Sequence, residues 1–207
     1  MSTKSTKKNR EIANDLFAQN GFAGTSIRDI ASAADVNLSA VNYHFTNKEQ
    51  LYWEVFQYNF SWIGSSIEKL GEESHSTAEL TIKTFKLFIS EKSAMLNIFK
   101  MFISDKIPVA SKNFCEKERI GPPGEDTFLH KIKSDLGSDI PIEGQKWAVR
   151  MIFSLIVHFG VIMNTPAMRE RCKNEPSLKP KILEDSLAHS VKAHLDYLKK
   201  HAALFKS

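Results

Sequence analysis

The amino-acid sequence predicts an all-α protein. Almost every segment spaces its apolar residues at a helical period, and few runs alternate between apolar and polar residues as half-buried strands do. Proline and glycine fall mainly between the periodic stretches, as in IGPPGE and SDIPIEG. With 207 residues, 42% hydrophobic and 25% charged, the chain can bury a sizeable core and has the composition of a globular protein.

The first predicted helix covers residues 8–20, and Gly21 follows at the position where a left-handed helix stop favours a residue without Cβ. Its apolar side chains form one stripe, which comprises Ile12, Leu16 and Phe17. A second, short helix is predicted to start at Thr25 or Ser26, whose hydroxyls can accept a backbone N–H, and to end near Ala34.

The turn ADVN separates the second helix from a third, which runs from about residue 38 to residue 45. Asp35 is the residue of this turn predicted to take a positive φ, because short polar side chains tolerate that conformation. The segment TNKE then predicts a long fourth helix, with Thr46 as its cap and Glu49 as the capping-box partner.

Further helices are predicted over residues 77–104 with a break near 91–93, and over 108–119, 124–136, 143–164 and 178–201. Residues 147–163 are apolar nearly all round and too few to favour a membrane span. The last helix has an apolar stripe formed by Leu183, Leu187, Val191, Leu195 and Leu198. These two helices are predicted to pack against a second copy of the chain, with burial inside a monomer as the alternative.

The third helix separates core from surface when its residues are placed 100° apart. One side carries Leu38, Val41 and Phe45, which can pack on the second helix. The opposite side and its flanks present small, hydroxyl, amide, phenol and imidazole groups, from Ser39, Ala40, Asn42, Tyr43 and His44. Two short helices joined by a tight turn, the second presenting such groups, indicate a helix-turn-helix that contacts phosphates and base edges.

Basic residues accompany this motif. Lys7 and Lys8, with Lys4 and Arg10, form a basic N-terminal arm without an acid among the first ten residues, although the net charge of the chain is only +4. Such an arm attracts DNA phosphates regardless of base sequence, and a solvated terminus is the alternative. Lys48 stands at the start of the fourth helix, where backbone N–H groups also favour an anion.

The gapless run of residues 10–56, REIANDLFAQNGFAGTSIRDIASAADVNLSAVNYHFTNKEQLYWEVF, resembles the DNA-binding domain of the TetR family of transcriptional regulators. The resemblance rests on LF, G-F, T-S-I-x-D-I-A, Y-H-F and K-E at fixed spacing. It implies a three-helix DNA-binding head, a larger helical ligand domain and a homodimer formed largely by the last two helices. Two positions depart from the common pattern, with Asp35 where glycine is usual and Asn42 where tyrosine is usual.

The resemblance divides the chain into a helix-turn-helix domain over residues 1–48 and a ligand-binding and dimerisation domain over 49–207. It implies DNA contacts at Thr25, Ser26, Asn37, Ser39, Ala40, Asn42, Tyr43, His44 and Lys48, to which the arm adds Lys7 and Lys8. The second domain is rich in aromatic and sulfur side chains, most of which are ordinary core. A pocket for an apolar or aromatic small molecule is nevertheless expected, with candidate lining residues Trp62, Phe88, Phe99, Phe102, His130, Trp147, Met151, His158 and Phe159.

The sequence therefore predicts a ligand-responsive transcriptional regulator, most simply a repressor, that binds a palindromic operator as a homodimer in the cytoplasm. No catalytic motif stands out, no cofactor or metal is implied, and the two cysteines are far apart. Asp185 and His189 are spaced i, i+4 but have no third metal ligand nearby in sequence. The alternative is a helical small-molecule-binding protein or enzyme that retains the head only as a scaffold.

Overall fold

The computed structural model describes the backbone of residues 3–45, 47–103 and 121–206 and, outside residues 3–8, 44, 92, 93 and 102, their side chains. The α-helices of these residues, numbered in chain order, are α1 (Thr3–Asn20), α2 (Ile27–Ala34), α3 (Leu38–His44), α4 (Lys48–Glu72), α5 (Thr77–Ser90), α6 (Lys92–Phe102), α7 (Glu125–Leu136), α8 (Ile142–Gly160), α9 (Pro166–Arg171) and α10 (Pro180–Lys200). Short 3₁₀ segments follow at Ile162–Asn164, Pro176–Leu178 and Ala202–Phe205. No strand occurs among the described residues, so the all-α prediction is confirmed.

Most predicted helices lie close to their observed positions. The break near residues 91–93 separates α5 from α6, and α7, α8 and α10 correspond to the helices predicted over 124–136, 143–164 and 178–201. The helix predicted over 108–119 lies outside the described residues. Helix α9 was not predicted, because six residues of mixed polarity show no helical period.

The chain divides into two compact units. Among the described residues, the first contains 3–61 and 93–103, and the second contains 62–92 and 121–206. Helix α4 thus contributes residues to both units, and α6 belongs to the first although it follows α5 in sequence. The functional boundary expected between residues 48 and 49 remains a prediction.

In the first unit, interactions between residues close in sequence determine where α2 and α3 begin and end. Ser26 caps α2 through a reciprocal capping box with Asp29. Asp35 ends the helix in the left-handed conformation predicted from the sequence, with φ of 56° and ψ of 49°. Gly21, which follows α1, also has a positive φ of 70°. The turns between α1, α2 and α3 therefore form where residues that tolerate positive φ occur.

The fourth helix begins one residue later than predicted. The side chain of Asn47 accepts a hydrogen bond from the backbone N–H of Gln50 at 2.8 Å, and the backbone N–H of Leu51 bonds to the Asn47 carbonyl. Asn47 is therefore the capping side chain of α4. This corrects the prediction that Glu49 is the partner in a capping box with Thr46, a residue outside the described ones.

A single apolar core holds the first unit together. Its buried members come from α1 to α4 and also from α6, namely Ala13, Phe17, Ile30, Ala31, Val41, Phe45, Leu51, Tyr52, Val55 and Met101. The hydroxyl of Tyr52 donates a hydrogen bond to the backbone carbonyl of Met101 at 2.7 Å, and Asn97 donates to Asp15 at 3.1 Å. Helix α6 is therefore bound into the head by a core side chain and by two hydrogen bonds.

The second unit is a bundle in which α5, α7, α8 and α10 pack on one another. A cluster of its core comprises Phe85, Leu183 and Leu187, surrounded by Ile89, Leu155, Phe159 and Leu178. Gly160 permits the close approach of α8 to α5, since a Cβ atom at this position would lie 2.9 Å from the Cβ of Phe88.

The apolar stripe of α10 is covered by the chain itself. Leu183, Leu187, Val191, Leu195 and Leu198 are all buried, none more than 8% exposed. This corrects the prediction that the stripe is buried by a second copy, because bundle partners α5 and α8 already contact α10. Any pairing with a second copy has to use other faces of α8 and α10.

Helix α8 with the 3₁₀ turn after it, Ile142–Asn164, is long and apolar enough to cross a membrane by length and composition, with a mean hydropathy of 1.5 over an 18-residue window. The core helix of a globular unit meets the same criterion. Here Ala148, Val149 and Ile152 are fully buried in the second unit. The observed length of this helix therefore does not argue against a span as the length of residues 147–163 did. One face of the helix packs in the second unit, and 33% of the apolar window is buried.

Candidate nucleic-acid interface

Thr25 stands directly before α2 and is buried, with 1% of its surface exposed. Its hydroxyl lies within hydrogen-bonding distance of two carbonyl oxygens, 3.1 Å from that of Leu16 and 2.9 Å from that of Gly21. These contacts tie the start of α2 to the end of α1. The Thr25 hydroxyl thus has a structural role, and its predicted contact with DNA remains a prediction.

Ser26 is exposed but takes part in the cap of α2. Its Oγ accepts a hydrogen bond from the backbone N–H of Asp29 at 3.1 Å, and its own N–H donates to the Asp29 carboxylate at 2.8 Å. The hydrogen bond with the Ser26 side chain, and next the one from the Ser26 backbone, lower the pKa of the Asp29 carboxyl. A negative charge therefore occupies the start of α2, and a phosphate can approach Ser26 only from its exposed side.

Helix α3 presents the face predicted from its sequence. Tyr43 is 85% exposed, whereas Val41 and Phe45 of the same helix are 0% and 1% exposed. Asn37, Ser39 and Asn42 are exposed and Ala40 is half-buried. The side chain of His44 lies outside the described ones. Because Val41 and Phe45 anchor α3 in the core, the polar face of the helix is held toward solvent.

Two features at the start of α3 are not explained by the helical-wheel prediction. Asn37 is the N-cap residue, yet its side chain makes no capping hydrogen bond. Leu38 is 37% exposed, which corrects the prediction that it packs in the core beside Val41 and Phe45. It is the first residue of the helix, and no later turn covers it.

Lys48 lies at the start of α4 with its ammonium group attached to the loop after α1. Its Nζ donates a hydrogen bond to the backbone carbonyl of Phe22 at 2.9 Å and lies 4.2 Å from the centre of the Phe22 ring. These contacts fix the position of the charge next to the head and use one of its three donors. Lys48 therefore combines a structural role with the predicted phosphate contact.

Arg28 was missed by the sequence analysis. It lies in the first turn of α2 and is exposed, while Ile30, Ala31 and Ala34 of that helix are buried. The helical period that places Ile30 and Ala31 inward also places Arg28 outward, so the signal was present in the sequence. Arg28 adds a positive charge beside the capping carboxylate of Asp29.

The basic residues predicted to form an arm belong to α1, which begins at Thr3. The side chains of Lys4, Lys7 and Lys8 lie outside the described ones. The guanidinium carbon of Arg10 lies 4.9 Å from the centre of the Tyr58 ring. The N-terminal charge is thus carried by the first turns of a helix rather than by a separate segment.

The nine candidate ligand residues are divided between the two units. Phe99 and Phe102 are on α6 in the first unit, and the Phe102 side chain lies outside the described ones. In the second unit, Trp62 and Met151 are half-buried and His130 is exposed. Their role as ligand contacts remains a prediction.

The other candidates of the second unit fall in three places. Phe88 is buried and contacts Phe153 edge to face, and Phe159 packs against the core around Phe85. The exposed His158 lies in an open depression of about 310 Å³ with Arg150, Phe153 and Val157.

Trp147 lines a second open depression in that unit, of about 370 Å³, with Ala193, His194, Tyr197 and Phe205. Its ring centre lies 5.7 Å from that of His194 and 5.4 Å from those of Tyr197 and Phe205. These aromatic contacts join the outer side of α8 to that of α10.

No group of three potential metal ligands occurs among the described residues. The Asp185 carboxylate pairs with Lys181 at 2.9 Å, and Nδ1 of His189 lies 2.7 Å from the backbone oxygen of Asp185. The Asp185 and His189 side chains thus make local contacts within α10.

A family model for bacterial regulatory proteins of the tetR family matches residues 11–55, the segment that forms the cap, turn and exposed face described above. Residues 11–55 are therefore a DNA-binding segment of the TetR family. The TetR match includes α2 and α3 completely, together with most of α1 and the first residues of α4.

Sequence relatives match part of the chain. A probable HTH-type transcriptional regulator, YttP of Bacillus subtilis, is 31% identical over 101 residues, which are 49% of this chain and 42% of that protein. The HTH-type transcriptional repressor Rv3405c of Mycobacterium tuberculosis is 42% identical over 60 residues, 29% of this chain and 30% of that protein. The matched region thus spans less than half the length of these relatives.

Solved structures with the TetR-like fold match about nine tenths of the chain. The TetR-family regulator HI0893 of Haemophilus influenzae has a TM-score of 0.61 at 19% identity, covering 89% of this chain and 95% of that one. A transcriptional regulator of Aquifex aeolicus has a TM-score of 0.59 at 19% identity, covering 91% and 98%. At these identities the comparison establishes the fold, an N-terminal helix-turn-helix domain with a larger helical domain.

Proposed function

We propose that this protein is a transcriptional regulator that binds double-stranded DNA through α3. The observation that carries the proposal is the contrast within one short helix between the buried Val41 and Phe45 and the 85% exposed Tyr43. A helix anchored by its apolar side and presenting amide, hydroxyl and phenol groups has the chemistry needed to contact base edges and phosphates. The proposed contacts are Thr25, Ser26, Arg28, Asn37, Ser39, Ala40, Asn42, Tyr43, His44 and Lys48, together with Lys7 and Lys8 of α1.

We propose further that it is a repressor that binds a palindromic operator as a homodimer. Names of relatives such as Rv3405c include the word repressor, which supports this direction of control. A second copy is proposed to pack on the outer faces of α8 and α10, where the depression around Trp147 combines half-buried and exposed aromatic surface. In such a dimer the two recognition helices occupy half-sites one helical turn of DNA apart, about 34–36 Å.

The effector is proposed to be an apolar or aromatic small molecule bound in the second unit. Helix α4 contains residues of both units, so a change in its position on effector binding would alter the separation of the two recognition helices. The effector is proposed to bind more tightly to the conformation in which the spacing of the recognition helices does not match the half-sites. It then lowers DNA affinity by the difference between its binding free energies for the two conformations. The proposed cellular location is the cytoplasm, without a membrane partner.

A mobility-shift assay with the DNA that flanks the protein's own gene tests this function. The expected result is binding to one palindromic fragment at a concentration at which a scrambled duplex of equal length stays free, and weaker binding to an isolated half-site. Equal affinity for the native and scrambled duplexes would support the alternative, a helical binding protein or enzyme that uses the head as a scaffold.

Replacing Lys4, Lys7 and Lys8 together by glutamine is expected to flatten the salt dependence of operator binding. Each lysine that neutralises a phosphate contributes about 0.9 to the slope of log affinity against log salt. The measurement is the operator affinity at several salt concentrations, with Lys206→Gln as the matched control at the other end of the chain. An unchanged slope would show that these lysines make no phosphate contact.

A further inference from the structure

An exposed leucine occupies the first position of α3. Leu38 is 37% exposed, whereas the other large apolar residues of this helix, Val41 and Phe45, are completely or almost completely buried. More than a third of the Leu38 surface is therefore open to solvent at the start of the helix, where a partner can contact it.

The neighbours of Leu38 are smaller or polar. Ser39 and Ala40 follow it in the first turn, and the preceding Asn37 does not use its side chain to cap the helix. In a helix-turn-helix the N-terminal residues of the recognition helix approach base edges. Leu38 has a longer side chain than Ser39 and Ala40 and is the large apolar residue of this turn.

Leucine has no hydrogen-bonding group and can recognise only an apolar one. Of the groups that base pairs present in the major groove, the C5-methyl of thymine is apolar, while the distinguishing groups of the other bases are hydrogen-bond donors and acceptors. On the basis of the DNA-binding function proposed above, we propose that Leu38 is a specificity-determining residue that selects a thymine in each half-site by contact with its methyl group.

Asn42 extends this recognition to an adjacent base pair. It is exposed and lies four residues after Leu38, so both side chains emerge on the same side of α3. Four residues advance about 6 Å along a helix, the length of one to two base-pair steps. An asparagine amide pairs with N6 and N7 of adenine. Leu38 and Asn42 together therefore favour a thymine and an adenine at neighbouring base pairs of the half-site.

The test replaces each operator thymine in turn by deoxyuridine, which keeps the base pair and removes only the methyl group. For the wild-type protein we expect one position per half-site at which this change weakens binding about fourfold, the effect of one buried methyl group. In Leu38→Ala both half-sites lose the contact, so the unmodified operator is bound about as weakly as wild type binds an operator with deoxyuridine at this position in both half-sites. The deoxyuridine change at that position then has no further effect in the variant.

Leu204→Ala removes a leucine that is 70% exposed in the second unit and should retain the full sensitivity to deoxyuridine. Circular dichroism melting of Leu38→Ala, expected to match wild type, verifies that the variant is folded. The proposal is overturned if no thymine is sensitive in the wild type, or if the sensitivity persists unchanged in Leu38→Ala. Failure of the DNA-binding function itself gives a different result, the absence of sequence-selective binding to the unmodified operator.

Discussion

Replacing Tyr43 by alanine is expected to lower operator affinity between about tenfold and a hundredfold without moving the midpoint of urea unfolding appreciably. The side chain is 85% exposed, so the core does not depend on it. A hydrogen bond from its phenol to a charged phosphate is worth roughly 1.5–3 kcal/mol, which corresponds to the expected loss. The affinity is measured by mobility shift and the stability by urea titration.

Tyr43→Phe is the matched variant for this experiment, since it removes only the hydroxyl. If the phenol contacts a phosphate, most of the loss seen with alanine appears with phenylalanine as well. If instead alanine lowers the urea midpoint as much as a core substitution does, the ring has a packing role and the proposed DNA-binding face of α3 is wrong.

Replacing Tyr52 by alanine is expected to destabilise the protein by about 3–5 kcal/mol, the usual cost of truncating a buried aromatic residue. Tyr52 is 1% exposed and packs edge to face against Phe17, Phe22 and Trp53, with ring-centre distances of 5.0, 5.3 and 5.6 Å. The measurement is the free energy of unfolding from urea titration. A loss below about 1 kcal/mol would mean that this aromatic cluster does not organise the head.

Tyr52→Phe separates the ring from the hydroxyl. The variant keeps the aromatic packing and loses the hydrogen bond to the Met101 carbonyl, at an expected cost of about 1–2 kcal/mol. Because that bond joins α4 to α6, the loss measures how strongly α6 is held in the first unit. An equal loss of unfolding free energy in Tyr52→Phe and Tyr52→Ala would contradict this separation of ring packing from the hydrogen bond.

The same residue predicts a dependence on alkaline pH. Burial raises the pKa of Tyr52 from its ordinary value of 10.0 to about 12. Since the folded-state pKa lies above the unfolded one, the contribution of the neutral phenol is fully present below about pH 10 and is lost as the pH rises toward 12. Wild type should therefore lose more stability than Tyr52→Phe over this range, and parallel curves would contradict the burial of the phenol.

The proposed DNA-binding face could be predicted from sequence where the position of a residue in the helix alone decides whether its side chain points inward or outward. Tyr43 was placed outward and Val41 inward by the helical period alone, and their exposures of 85% and 0% agree. The same reasoning failed for Leu38, because a wheel gives the direction of a side chain but not whether a neighbour covers it. Nor does helical periodicity predict the hydrogen bond of the Thr25 hydroxyl to the Leu16 carbonyl, nine residues away in sequence.

The ligand site could be predicted less well. Phe88 and Phe99 have similar chemistry and similar helical surroundings in the sequence, yet they belong to different compact units. No periodicity distinguishes a phenylalanine that fills a core from one that lines a pocket, since both are apolar residues on an inward face. The assignment of an effector therefore depends on experiment.

What the sequence by itself determined is local. The cap at Ser26, the positive φ at Asp35 and the break between α5 and α6 involve residues within about four positions of one another, so a short stretch of chain contains all the interacting groups. The tertiary structure alone decided that Met101 completes the core of the head and that the stripe of α10 is buried in its own chain. These contacts join residues dozens of positions apart, such as Tyr52 and Met101, and arise only when folding brings distant helices together to exclude water from their apolar faces.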